Sequence, residues 1–186
     1  MTIVAGGDSF VWGSELWDHR HGGANGYSRV TFPSILTGED RYVCAAYPGI
    51  GNKEIMTRTR KVLDMFDSNV GTIINWTWPT RDNVVESDIE VIIIQRYLIE
   101  RKIPYMFTCA DNCVVTGHPD IDYSRWFFFP AGTGANQTET PRGFYQWALE
   151  NKYPIGREGH PLEPAHAEAA ELMKDTFNEL VKKHLQ

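Results

Sequence analysis

Residues 2–10 read TIVAGGDSF, an apolar and partly β-branched run that stops at two glycines, an aspartate and a serine. Residues 2–5 have strand composition, and Gly6 and Gly7 end the run with residues that tolerate sharp turns. A strand end passing into a loop needs no chemistry. A serine presented at the carboxyl edge of a sheet is a candidate nucleophile. The patterning of the remaining chain decides which sheet that serine would stand on.

Further strand-like runs lie at 42–47, 72–78 and 104–109, each rich in β-branched or aromatic residues. Helical periodicity separates them. Residues 52–66 place Ile55, Thr59, Val62 and Phe66 on one face, with Asn52 expected as the N-cap. Residues 87–102 form a second predicted helix, its buried face expected at Ile89, Ile92, Ile93, Arg96, Tyr97 and Ile99. In the last helix Pro164 suits the first turn, and Ala165, Ala169, Met173, Phe177, Leu180 and His184 follow at spacings of three and four. Strands alternating with helices predict an α/β fold, a three-layer α/β/α sandwich with parallel pairing and right-handed crossovers. Ligands of such folds bind beyond the carboxyl ends of the strands. Two stretches break the alternation. Residues 17–28 read as a glycine- and histidine-rich surface loop. In 120–142, the aromatic cluster 126–129 reads as an edge strand or core plug, with a pocket wall or contact surface as the alternative.

The 186 residues fit one domain. With a net charge of -6, a nucleic-acid-binding surface is disfavoured. No apolar run approaches the roughly 18 residues that would span a bilayer, and no signal-peptide pattern is visible, so a cytoplasmic location is expected. Three cysteines cannot all pair, which favours free thiols in a reducing compartment. Cys109, Cys113 and His118 match no strong zinc spacing, and neither a metal nor another cofactor is expected.

Each strand end carries unusual residues. The first gives Gly7, Asp8 and Ser9. The second gives AAYPGIGNKEI (45–55), where Gly49 and Gly51 permit close backbone approach and Asn52 opens a helix whose N–H groups could stabilise an anion. The third gives NWTWPTRD (75–82), and REGHPLEPAH (157–166) precedes the last helix. A serine, a backbone anion site, and a histidine with a carboxylate two residues upstream are the parts of a serine acyl-transfer site. GGDSFVWG satisfies neither a dinucleotide fingerprint nor a P-loop.

With GGDSF, GIGN and EGHP in this order, the chain resembles the SGNH (GDSL-type) hydrolases over positions 6 to 166. In its wording, YPGIGN, NWTWPTR and HPLEPAH, it looks more like small SGNH-like proteins of tailed bacteriophages than like secreted lipases. The resemblance implies a flavodoxin-like sandwich of about five parallel strands in a single domain, 1–186. It also implies a serine esterase that needs no cofactor. Ser9 would be the nucleophile and His160 the general base, the N–H groups of Ser9 and Gly51 would hold the oxyanion, and Asp8 would shape the turn. The expected substrate is a small-molecule or carbohydrate ester, such as an O-acetylated sugar, with no nucleic acid or membrane partner.

Two positions depart from the family's pattern. Arg157 stands where an aspartate is usual, which leaves Glu158 as the nearest carboxylate, and Glu163 with His166 forms an alternative pair. The Gly-x-Asn-Asp block is missing. Asn75 lies within the strand-like run, Thr77 or Trp78 could donate in its place, and Asn52 and Arg81 join Gly51 and Thr77 as candidate oxyanion or substrate-binding residues. These departures motivate a second expectation: a non-catalytic SGNH-like binding or structural protein, virion-associated if phage-encoded.

Overall fold

Four short apolar runs form the sheet. The computed structural model describes residues 1–20, 26–38, 41–82, 84–131 and 141–184, excepting the side chains of 20, 84–86 and 181–184. Strands β1 (Thr2–Gly6), β2 (Tyr42–Cys44), β3 (Val70–Trp76) and β4 (Tyr105–Cys109) are all parallel, in the order β2-β1-β3-β4. Every residue of β3 and β4 is buried. That explains why these runs show no apolar–polar alternation: a parallel sheet covered on both faces needs apolar residues on both.

Helices α4 (Asn52–Leu63) and α5 (Val84–Glu100) cover one face through Ile55, Leu63, Val91, Ile94 and Leu98. The other face is covered by α3 (Phe32–Thr37), α6 (Phe144–Glu150) and α7 (Glu163–His184). Ala165, Ala169, Ala170 and Met173 are buried there, and the small side chains let α7 lie close against the sheet. Two short helices, α1 (Ser9–Trp12) and α2 (Trp17–Arg20), follow β1. The fold is therefore the expected α/β sandwich, with the first, second and last predicted helices within a few residues of their observed bounds.

Four expectations are corrected. Among the described residues the sheet has four strands, where about five were expected. Beyond β4 the aromatic run makes a single parallel bridge, Phe107 with Trp126, and the Phe127 N–H donates to the Phe107 carbonyl at 2.7 Å. Trp126 and Phe129 then turn into the core, and Pro130 follows with no N–H to offer a ladder. In α5, Ile89, Ile93 and Ile99 are exposed at 50, 40 and 56% while Val91, Ile94 and Leu98 are buried. Apolar residues stand on every side of this helix, interleaved with polar ones, so periodicity alone does not choose the face that meets the sheet. The N-cap of α4 is Gly51, and Asn52 is the first helical residue. Residues 17–20 of the expected surface loop are helical. Residues 21–25, and 132–140 of the polar loop, lie outside the described residues.

Candidate active site

β1 ends on the two glycines, and Asp8 caps α1 by accepting the Phe10 N–H on Oδ1 at 3.0 Å. Ser9 is the first residue of α1 and is 5% exposed. Among the described residues its hydroxyl makes no hydrogen bond, and its N–H donates to no carbonyl or carboxylate. Asp8 is fully buried, and a buried carboxylate must be compensated. Its Oδ2 accepts the Thr77 hydroxyl at 2.7 Å and Arg81 Nη1 at 3.1 Å. The Thr77 hydroxyl is thus committed to Asp8, and Thr77 is itself fully buried.

The second strand end runs alongside the first: the Ala45 N–H donates to Ala5 and the Tyr47 N–H to Gly7. Gly49 has φ of 76°, a left-handed backbone that glycine adopts without strain. Gly51 is required for a different reason. A Cβ there would lie 2.3 Å from the Asp82 carboxylate, whose Oδ2 accepts the Lys53 N–H at 3.0 Å. The Asn52 amide faces away from any ligand: it donates to the Thr77 carbonyl (3.0 Å) and the Ser87 hydroxyl (3.1 Å) and accepts the Thr77 N–H (2.9 Å). It fixes α4 to the end of β3. Asn75 and Thr108 stand opposite each other in the sheet, both fully buried, and neither side chain has a hydrogen-bond partner among the described residues.

His160 meets a carboxylate, but it is neither of those expected. Its Nδ1 lies 2.8 Å from Oε2 of Glu15, which also accepts the backbone N–H groups of Glu158 (2.9 Å) and His160 (3.3 Å). Both side chains are nearly enclosed, at 13 and 11% exposure. Burial raises the Glu15 pKa, but the hydrogen bond to His160, those from the two backbone N–H groups and the attraction of His160 outweigh it. The net result lies below the usual carboxylate value. An ionised carboxylate only accepts, so Nδ1 carries the proton that Glu15 accepts, and Nε2 is the ring nitrogen that the pair leaves open. Glu15 itself has φ of 70°, uncommon for a residue with a Cβ and held here by three hydrogen bonds. The Glu158 side chain is exposed, and that residue serves the pair only through its N–H.

His166 and Glu163 do not form a pair. The His166 ring is buried, accepts the Phe32 N–H at 3.1 Å on Nδ1, stacks on Phe32 and packs on Phe144. Burial drives its pKa down to about 3; the Pro161 carbonyl works against that shift and His160 adds to it. Glu163 instead accepts the Trp17 N–H at 2.7 Å. Both residues brace the junction between α2, α3 and α7.

Aromatic rings link the serine turn to the histidine loop. Phe10, next to Ser9, packs edge-on to the His160 ring at 5.6 Å and to Trp78 at 5.7 Å, and stacks on Tyr145 at 5.9 Å. Trp78 meets Tyr145 at 5.8 Å. The carboxyl end of the sheet therefore gathers a serine, an imidazole whose Nδ1 is held by Glu15, two N–H groups at Ser9 and Gly51 without partners among the described residues, and an aromatic wall. Nucleophile, base and anion donors are the groups that acyl transfer needs.

The same fold recurs in the psychrotrophic esterase EstA from Pseudoalteromonas sp., in a structure inhibited by monoethylphosphonate. The likeness has a TM-score of 0.66 at 12% sequence identity and covers 97% of this chain and 98% of that one. No protein-family model and no curated protein sequence matches this chain. No helix among the described residues is long and apolar enough to cross a membrane.

Proposed function

We propose that the chain is a serine esterase that cleaves a carboxylic ester through an acyl-Ser9 intermediate. The observation that carries this reading is the Glu15–His160 pair, which holds Nδ1 and leaves Nε2 open to act as the base beside the turn that presents Ser9. The esterase with the same fold is consistent with it. Ser9 Oγ attacks the ester carbonyl carbon while its proton passes to His160 Nε2. The tetrahedral oxyanion is held by the N–H groups of Ser9 and Gly51. As it collapses, the ester C–O bond breaks and the alcohol leaves with the proton from Nε2. Water then attacks the acyl-enzyme, giving its proton to the same nitrogen, and the acid is released with Ser9 restored.

The substrate we favour is an O-acetylated carbohydrate. Phe10, Trp78 and Tyr145 crowd the serine turn, which suits a small acyl group, and the exposed Tyr47 beside Gly7 offers a surface for a sugar ring. The phage-like wording of the three motifs supports a phage-encoded protein, cytoplasmic or carried by the virion.

A second reading is a non-catalytic relative. It is favoured by the Ser9 hydroxyl and His160 sharing no hydrogen bond, although such bonds often tighten only with substrate bound. A fluorophosphonate probe separates the two. The esterase reading expects labelling at Ser9, lost in Ser9→Ala and in His160→Ala, with hydrolysis of a chromogenic acetyl ester lost in parallel. An unlabelled, folded wild-type protein supports the non-catalytic reading.

A further inference from the structure

A single nitrogen of Arg81 joins the two segments that supply the proposed oxyanion donors. Its Nη1 donates to Asp8 Oδ2 at 3.1 Å and to the Ile50 carbonyl at 3.2 Å. Asp8 directly precedes Ser9, and Ile50 directly precedes Gly51. The Ile50 carbonyl and the Gly51 N–H belong to the same peptide unit. That unit is planar and trans, so its N–H points opposite to its C=O. Whatever holds the carbonyl therefore sets the direction of the N–H.

The guanidinium is itself well anchored. It lies over the Trp78 ring, 5.4 Å from its centre, and its backbone N–H donates to the Trp78 carbonyl at 3.1 Å. The next residue, Asp82, grips the other side of the same peptide by packing on Gly51 and accepting the Lys53 N–H. Asp8 neutralises the guanidinium, so a substrate anion gains little from it.

We infer that Arg81 is a positioning residue, which aims the Gly51 N–H and fixes it relative to the turn that presents Ser9. The kinetic part of this inference rests on the esterase reading; the geometric part does not. Lysine would keep the charge for Asp8 as a compact ammonium on a flexible four-carbon stem without the planar fork, so it is the conservative variant.

The test is NMR relaxation of backbone amides, together with ester kinetics, on Arg81→Gln and Arg81→Lys. In Arg81→Gln the order parameters of both the Ser9 and Gly51 amides are expected to fall from about 0.85 to below roughly 0.6. The Phe32 amide, held by His166, stays rigid. In parallel kcat falls roughly a hundredfold, KM stays within about twofold, as for an interaction made in the transition state, and Arg81→Lys recovers part of the loss. If the uncompensated Asp8 prevents folding, the double variant Asp8→Asn, Arg81→Gln carries the relaxation measurement. Rigid amides at both positions, or a change at only one, overturn the inference. A wild-type protein that neither turns over esters nor takes the fluorophosphonate probe overturns the esterase reading instead, and the relaxation result still decides the role of Arg81.

Discussion

Glu15 and His160 lie 145 positions apart in the chain, and the carboxylate of one meets the imidazole of the other at 2.8 Å. Glu15 stands six residues after Ser9, in the turn that leaves α1, so the segment that presents the serine also orients the His160 ring.

Removing that orientation is expected to impair chemistry rather than binding. Glu15→Gln should lower kcat roughly a hundredfold or more, since a neutral amide leaves the ring free to take the wrong tautomer. Glu15→Asp should retain part of the activity. Glu158→Gln should stay within about twofold of wild type, because only its backbone N–H reaches the pair. Steady-state kinetics on an acetyl ester check all three, and an impaired Glu158→Gln with an unimpaired Glu15→Gln would reverse the assignment.

The buried His166 predicts acid lability. Its folded-state pKa is depressed to about 3 by burial, so the native protein disfavours the proton that the unfolded chain takes up below about pH 6.5. Its contribution is complete above that pH and is lost as pH falls towards 3, with a limiting slope of about 1.4 kcal/mol per pH unit. Urea titrations between pH 5 and 6.5 should show a slope that steepens towards this limit near pH 5 in wild type and a shallower one in His166→Gln. The window lies above the range in which Glu15, whose pKa is lowered, takes up its proton.

Gly51 is fixed by crowding, since its φ of -94° suits any residue. Gly51→Ala should cost about 1–3 kcal/mol as the new methyl group meets Asp82. Most of that loss should return in Gly51→Ala, Asp82→Gly, measured by denaturant midpoints. No recovery in the double variant would mean that Asp82 is not the obstacle.

On the buried edge strand β4, Thr108→Val should leave stability unchanged or raise Tm by about 2–4 °C, since a buried hydroxyl with no partner among the described residues gives way to a methyl group of the same shape. A clear loss of Tm would show that the hydroxyl is satisfied in solution.

Most of the scaffold was legible in the sequence, because its determinants are local. The strand runs, the α4 face and the alanine stripe of α7 all follow from short-range patterning, and GGDSF and GIGN fall at strand ends where the topology gathers ligands. What was not legible depends on distance along the chain. Glu15 carries no motif; only its positive φ and its three acceptor contacts mark it, and both require the fold. Asn52 and Thr77 have the chemistry of oxyanion donors, yet tertiary contacts spend that capacity on each other and on Asp8. Glu163 and His166 have the right spacing for a pair but face different partners. The face of α5 was ambiguous because its apolar residues stand on every side of the helix.

The two long ties, Glu15 to the 158–160 backbone and Phe32 to His166, have a consequence for timing during synthesis. A ribosome-bound fragment ending before residue 160 holds the serine turn and all four strands but not the His160 ring. Glu15 therefore has no imidazole to meet while the sheet alone is formed. The Glu15–His160 pair arrives only when the carboxyl-terminal segment joins the sheet.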